Sequence, residues 1–472
     1  MKRFLILIII IFGAIFEAIA SKGIAETQIS GFQSPKREVR AVWLTTLGGL
    51  DWPRTKATSH ERMILQQQEL CDKLDRLRTI GINLVYLQTR VRGTVIYPSR
   101  IEPWDGALTG RFDSNPGYDP LEFAIKECHK RGMECHAWVV TIPCFKISGV
   151  EKLGKRSLYY THRKLLFKQN DTYYMDPSNP ETSRYLAGIC KEIVSGYDVD
   201  GIHLDYIRYP ENTPNDRGEW RRANITRVVR AIHDTVKAVK PWVRLSCSPV
   251  GKYNDVSRYQ SHGWNAYTAV YQDAVQWMKE GLMDMISPMM YFKGDNFYPF
   301  CADWQEQSHG KVVAPGLGIY FLSEKQKNWN LVEITRELQY IRTLQMGGAA
   351  YFRAQFLLED VKGLSTWLRM YYYQNKAIAA PPLDTPLPFL SKGTETPNRD
   401  GAASKFTASR RYVLYASKDF PVDINNPENI VDIYWGEPTY DRITQRVWRM
   451  NLAITELDAY GNESEAKQIQ FK

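Results

Sequence analysis

Cysteine is scarce in this chain, and the way it is spread excludes two kinds of architecture. The seven cysteines, at 71, 128, 135, 144, 190, 247 and 301, are odd in number and follow no pairing rhythm, so they describe no disulfide framework. No C-x-x-C occurs, which removes the usual support for structural zinc. Histidine is sparse too, with eight in 472 residues and no i, i+4 pair, so a helix-borne metal motif is absent. No glycine-rich phosphate loop follows any apolar segment, which argues against an open dinucleotide-binding sheet. The formal charge of +9 is gathered into no long basic run. It reads either as solvated surface or as a bias toward anionic polymers, and nucleic-acid binding fits poorly.

Only one long apolar run exists, and it opens the chain. Lys2 and Arg3 precede Phe4–Phe16, and Ala18-Ile19-Ala20 follow. A basic start, a short apolar stretch and small residues at minus three and minus one describe a secretory signal over 1–20, with a mature chain from near Ser21. The first cysteine is Cys71, so a lipid anchor on a cleaved N-terminal cysteine is not expected. An uncleaved anchor is the alternative. After cleavage no stable membrane span is expected, and the protein is read as exported.

What remains is ordinary for a large soluble protein, 44% hydrophobic and 24% charged. Eight apolar segments alternate with helical patterns: Val39–Thr46, Asn83–Arg90, Met133–Thr141, Val199–Tyr206, Val243–Pro249, Met283–Tyr291, Lys311–Gly318 and Ala349–Arg353. Between them, sets such as Leu70, Leu74, Leu77 and Val228, Ile232, Val236, Val239 share one helical face. Strict alternation predicts an α/β fold with a parallel sheet, and a count of eight predicts a (β/α)₈ TIM barrel over 36–376. The segment 377–400, with Pro381, Pro382, Pro386 and Pro388, reads as a stiff linker. Short alternating strands then predict a small β-sandwich over 401–472, its last hairpin, Asp458-Ala459-Tyr460-Gly461-Asn462, resembling fibronectin type III modules.

In such a barrel chemistry belongs at the C-terminal ends of the strands. The fourth predicted strand, Gly201-Ile202-His203-Leu204-Asp205, places Gly201, His203 and Asp205 on one face with Asp205 last, at the rim. Beside Tyr206, Arg208 and Tyr209, this carboxylate suits acid, base or nucleophilic work at a glycosidic bond. The plainer reading pairs it with Arg208 to brace the loop. Asp198 and Asp200 precede the strand, on the stability side. Arg90 and Arg92 end the second strand and suit a carboxylate or sugar hydroxyls, or neighbouring acids. His136 and Trp138 share a face of the third strand, a sugar platform or a satisfied core pair. Tyr291 ends the sixth strand. Asp295 is the first choice for a second carboxylate, ahead of Asp176 and Asp273, though each suits a cap or turn, as Asp119 does. His136, His203 and Asp205 also compose a possible two-His, one-carboxylate metal triad, against which the scarcity of histidine counts.

These segments give the chain a family resemblance. Glu38-Val39-Arg40-Ala41-Val42-Trp43-Leu44-Thr45, Tyr97-Pro98-Ser99, Pro103-Trp104, Leu108-Thr109-Gly110, Pro116-Gly117-Tyr118-Asp119-Pro120, His136-Ala137-Trp138, Asp176–Glu181, Tyr197–Pro210 and Ser287–Tyr291 occur in the order of the family-ten-like glycosyl hydrolases. The resemblance implies a barrel with a β-sandwich behind it, cleavage of glycan chains, and a site role for Asp205. For some relatives it implies peptidoglycan glycan stripped of its peptides. Two positions depart from the common pattern: Tyr206 stands where a second Asp is usual, and Met289 where a Gln is usual. The expectation is an exported glycoside hydrolase of a bacterial-type polysaccharide, centred on Asp205 and Asp295. Arg90, Arg92, His136, Trp138, His203, Arg208, Tyr209 and Tyr291 are the expected substrate contacts, with no cofactor. A non-catalytic carbohydrate-binding barrel and a metal-dependent deacetylase or hydrolase are the alternatives.

Overall fold

In a computed structural model the described residues are 34–214, 216–257, 259, 263–381, 411–436, 447 and 449–471. The expected signal segment and most of the expected linker lie outside them. The eight expected strands form, as Val39–Leu44, Leu84–Arg90, Glu134–Val140, Gly201–Asp205, Arg244–Cys247, Met285–Met290, Val312–Leu317 and Gly348–Tyr351. The sixth and seventh are each broken in the middle, at Ser287-Pro288 and Ala314-Pro315. Proline has no N–H to give a ladder, so each strand resumes only beyond it. Every neighbour pair is parallel, and the eighth strand pairs with the first through Val39 opposite Gly348. The sheet therefore closes on itself as a (β/α)₈ barrel.

The outer ring is carried by His60–Ile80, Pro120–Lys130, Pro180–Gly196, Gly218–Val239, Ala274–Lys279, Tyr298–Glu306 and Leu331–Thr343, with short turns of helix from Ala354 to Tyr372. Their starts are set by local chemistry. Ser59, Asp119, Asn179, Asp273 and Asn330 each accept a backbone N–H of the first turn. Asp119 and Asp273 are thereby caps, and Asp176 likewise accepts from Ser178 N at 2.9 Å. After the third strand a three-stranded antiparallel flap, Pro143–Lys146, Leu166–Gln169 and Thr172–Met175, rises from the mouth side.

The barrel interior is filled. Trp43, Tyr86, Trp138, Val140, Met285 and Ala350 pack together inside it. Buried polar groups share that interior, among them His203 and His136. Gly201 makes room for one of them: a Cβ there would lie 2.5 Å from His136 Nδ1.

The C-terminal module is a four-stranded antiparallel sheet, ordered Ile430–Trp435, Arg411–Ser417, Asn451–Leu457, Lys467–Ile469. It docks on the barrel floor, the end from which the strands start. Arg411 bonds Glu134 at 2.8 Å, Arg78 bonds Asp432 at 2.9 Å, and Lys36 bonds Glu463 at 2.6 Å. The Trp435 ring stacks on His129 with centroids 4.6 Å apart. The close approach requires Gly132, whose φ is +71° and whose added Cβ would meet Ile433 O at 2.5 Å.

Candidate active site

Asp205 is the last residue of the fourth strand, at the opposite end from the docked module. Thr141, just past the third strand, fixes its backbone: both Thr141 N and Oγ1 donate to Asp205 O at 2.9 Å. The side chain is 5% exposed and is held by three donors. Trp138 Nε1 donates to Oδ2 at 3.0 Å, Ser248 Oγ to Oδ1 at 2.9 Å, and Tyr206 N to Oδ1 at 2.8 Å. Tyr206 adopts a left-handed φ of +51°, which turns the chain sharply at the rim. Its ring is left 38% exposed.

Burial pushes the Asp205 carboxyl above the ordinary aspartate range. Ser248, the Tyr206 amide, the Arg208 charge and Trp138 oppose that push without overcoming it. Around it stands an aromatic rim. Tyr291 is half-buried, with its centroid 5.5 Å from Phe352 and 5.8 Å from Tyr320. Burial and then the nearby Asp205 charge hold the Tyr291 phenol well above its usual range, which places the two groups within electrostatic reach. Arg92 is half-buried just past the second strand, and its charge acts on the Tyr206 phenol. Arg208 lies against Tyr206, its guanidinium 4.6 Å from the ring centre. The structure thus brings together Asp205, Trp138, Arg92, Arg208 and Tyr291. A buried acid that holds its proton, beside aromatic faces at a barrel mouth, has the equipment of a general acid.

Other expected contacts lie elsewhere. Arg90 is fully buried, bonded to Glu102 at 2.7 and 2.8 Å and to Thr141 O at 2.8 Å, so it braces the barrel wall. His203 is also fully buried: Trp43 Nε1 donates to its Nε2 at 3.2 Å, its Nδ1 meets Ser246 Oγ at 2.9 Å, and Tyr86 stacks on it at 3.9 Å. Burial lowers its basicity far below normal, so it is a neutral core residue. His136 faces the floor, with Nε2 3.2 Å from Glu134 Oε2. Its ring therefore does not reach the mouth, and the two-His, one-carboxylate triad does not assemble. No cluster of three or more metal-ligating side chains exists among the described residues. Tyr209 is 6% exposed, packed edge-on against Tyr271 and bonded by Asn224 at 3.2 Å, so its ring is no open stacking face. Trp138, 4% exposed, serves Asp205 through its N–H instead of offering a platform. Asp295 is exposed, on the one-turn helix Gly294–Asn296, and makes no bond to Asp205.

Sequence reasoning missed Ser248, Phe352 and Trp264, whose ring centre lies 5.0 Å from the Arg208 guanidinium, and it named Tyr206 only as a neighbour of Asp205. Ser248 was within reach of it, since the alternation that puts His203 and Asp205 inward does the same for Ser246 and Ser248. Trp264 and the left-handed turn at Tyr206 carry no periodic signal.

With this geometry established, the relationships of the chain complete the class. The sequence profile of the family described as glycosyl hydrolase-like 10 matches residues 38–218 and 208–321, and this chain belongs to that family. It is an enzyme of the O-glycosyl-hydrolysing class. Glycosyl hydrolase DigH of Escherichia coli (strain K12) is 31% identical over 376 residues, covering 69% of this chain and 85% of the relative. Glycosyl hydrolase YngK of Bacillus subtilis (strain 168) is 28% identical over 408 residues, covering 77% of this chain and 78% of the relative. Among solved structures, the PgaB (BpsB) glycoside hydrolase domain from Bordetella bronchiseptica aligns with a TM-score of 0.47 and 12% identity, over 71% of this chain and 99% of that one. The catalytic domain of β-amylase from Paenibacillus polymyxa gives a TM-score of 0.47 and 12% identity, over 72% and 99%. Among the described residues no helix is long and apolar enough to cross a membrane.

Proposed function

We propose that this glycoside hydrolase is exported and cleaves a bacterial-type polysaccharide, with peptide-free peptidoglycan glycan as the first candidate and Asp205 as the proton donor. The observation that carries the reading is the state of Asp205: a buried carboxyl at the barrel mouth, bonded by neutral donors and pushed toward its protonated form. The glycan lies across the rim formed by Tyr206, Tyr291 and Phe352. Asp205 passes its proton to the glycosidic oxygen as the bond from the anomeric carbon breaks, and the leaving sugar departs as an alcohol. The anomeric carbon then takes either water, aided by a base, or the carbonyl of a neighbouring 2-acetamido group. The second route lets one strong protein carboxyl suffice. The signal pattern of residues 1–20 supports export to where such a polymer is met.

The test is incubation of the purified protein and of Asp205→Asn with a polysaccharide panel that includes peptide-free peptidoglycan glycan, products being read by mass spectrometry. New reducing ends from the wild type, and none from the variant, are expected. Chains deacetylated but uncut, or bound without any product, would sink the proposal.

A further inference from the structure

Two arginines in one segment of the second strand have different fates, and a third arginine beside Asp205 shares the fate of the less constrained one. Arg90 has its charge neutralised by Glu102 through paired bonds. Arg92, two residues on, makes no hydrogen bond or ion pair among the described residues, though it lies close enough to act on the Tyr206 phenol. Arg208 is only 4% exposed, and its Nε has no hydrogen-bond partner among the described residues. The acid closest to satisfying it, Glu211, sits 3.6 Å from Nη1 with its own side chain 60% exposed, too far for a hydrogen bond and well screened by water. Among the described residues the rings of Tyr206 and Trp264 lie against it, with centroids 4.6 and 5.0 Å away, and its charge also acts on Asp205. Those rings are themselves 38% and 42% exposed, so they belong to the mouth surface.

A guanidinium largely removed from water with a donor unmet costs free energy that bracing alone does not require. Arg90, neutralised by Glu102, is one bracing arginine. Buried Arg40 also leaves Nη2 unmet among the described residues, but its charge is neutralised by a buried Glu38 at 2.8 Å. The acid nearest Arg208 within ion-pair range is instead the exposed Glu211. We infer that Arg208, with Tyr206, Trp264 and Arg92, forms a subsite that reads a carboxylate on the sugar next to the cleaved bond, which makes this enzyme selective for an acidic glycan. The guanidinium offers a planar fork to a planar carboxylate, and the exposed rings offer stacking faces to the pyranose that bears it. The inference rests on the proposed glycosidase reading and deepens it. Peptide-free peptidoglycan glycan fits, because removing the peptide leaves a free carboxylate where an amide had been.

The test compares peptide-free peptidoglycan glycan oligomers with the same oligomers whose carboxyls have been converted to methylamides. Wild type is expected to show kcat/KM about 10- to 100-fold higher on the free acid, the range for hydrogen bonds to a charged group. Arg208→Met is expected to shrink that ratio to within about threefold, and Arg208→Lys, which keeps charge without the fork, to an intermediate value. Trp264→Ala should weaken both substrates together. Equal cleavage of acid and methylamide by the wild type, or an unchanged ratio in Arg208→Met, would overturn the subsite. If neither oligomer is cut, the glycosidase reading for this glycan fails. Calorimetric binding of both oligomers to Asp205→Asn then still decides the subsite: tighter binding of the acid sustains it and equal binding ends it.

Discussion

The mouth and the floor of this barrel treat a buried carboxyl in opposite ways. At the floor, Glu134 opens the third strand and Glu38 lies just before the first. Burial alone would raise both, but cations outweigh it. Glu134 is pulled down by its hydrogen bond to His136 and by the charges of Arg411 and Arg244, and Glu38 by the charges of Arg40 and Arg342, so both are held below the usual carboxylate range. At the mouth, Asp205 meets an indole N–H, a hydroxyl and an amide, and only the Arg208 charge, so burial prevails and its acidity falls. The difference lies in partners, not in depth. A carboxyl given cations is a fastener, whereas one given neutral donors in a dry setting keeps a proton available.

The largest break in that contrast is Asp205→Asn. Loss of a positioned proton donor is expected to cut kcat by about 10²- to 10⁴-fold. Stability should respond the other way. The folded-state pKa of Asp205 lies above its unfolded value, so whatever stability it lends is present at low pH and is lost as pH rises through the folded value. The wild type should therefore lose Tm relative to Asp205→Asn on going from acid to neutral pH. A Tm difference between the two proteins that stays constant from acid to neutral pH would contradict the assignment.

Glu134→Gln tests the other end. Removing one partner of a buried ion pair costs about 3–5 kcal/mol, since Arg411 and His136 keep their burial without their acid. A clear fall in Tm is expected while kcat of the folded protein stays within about twofold. A collapse of kcat without a change in Tm would mean that the floor takes part in chemistry.

How much of this was legible in the sequence follows the same division. The eight strands were, because alternation of apolar segments and helical faces is a repeated local signal, and Asp205 stood at the strand end where barrel chemistry belongs. The height of a side chain inside the barrel was not. His203 shares a face with Asp205 but sits two residues lower, roughly 6.6 Å at about 3.3 Å per residue. That step carries it from the mouth into the filled interior, under Trp43 and Tyr86. Arg90 and Arg92 differ by the same step. Parity tells which face a residue occupies, whereas layer depends on how large side chains from distant strands stack. Trp264 and the left-handed turn at Tyr206 were hidden for another reason, since turns and loops carry no period to read.

Ser248→Ala sharpens the contrast at the mouth. Its hydroxyl donates to Asp205 Oδ1 at 2.9 Å and so favours the charged form. Without it the carboxyl should hold its proton to still higher pH. For a proton donor, activity falls as pH rises through that value, so the alkaline limb of the pH–rate profile should move upward, with a loss of kcat at the optimum of about tenfold or less. An acid limb that moves upward while the alkaline limb stays in place would mean that Asp205 works as the anion.

The smallest effect is expected from Asp295→Asn, and it decides whether the mouth holds one working carboxyl or two. Asp295 is exposed on a single turn after the sixth strand, and its neighbour Asn296 is the residue tied down, by Lys252 at 2.7 Å. An acid open to solvent is strongly screened and loses entropy when it is brought to bear on a substrate. If Asp205 donates the proton and the substrate's own acetamide attacks, Asp295→Asn should change kcat by less than about threefold on an N-acetylated glycan. If instead the loop closes over bound glycan and Asp295 attacks or activates water, the loss should approach that of Asp205→Asn, in the range of about 10²- to 10⁴-fold, and added azide should restore turnover by supplying the missing nucleophile. A large loss with azide rescue would make the mouth a two-carboxyl device and confine the contrast with the floor to Asp205 alone.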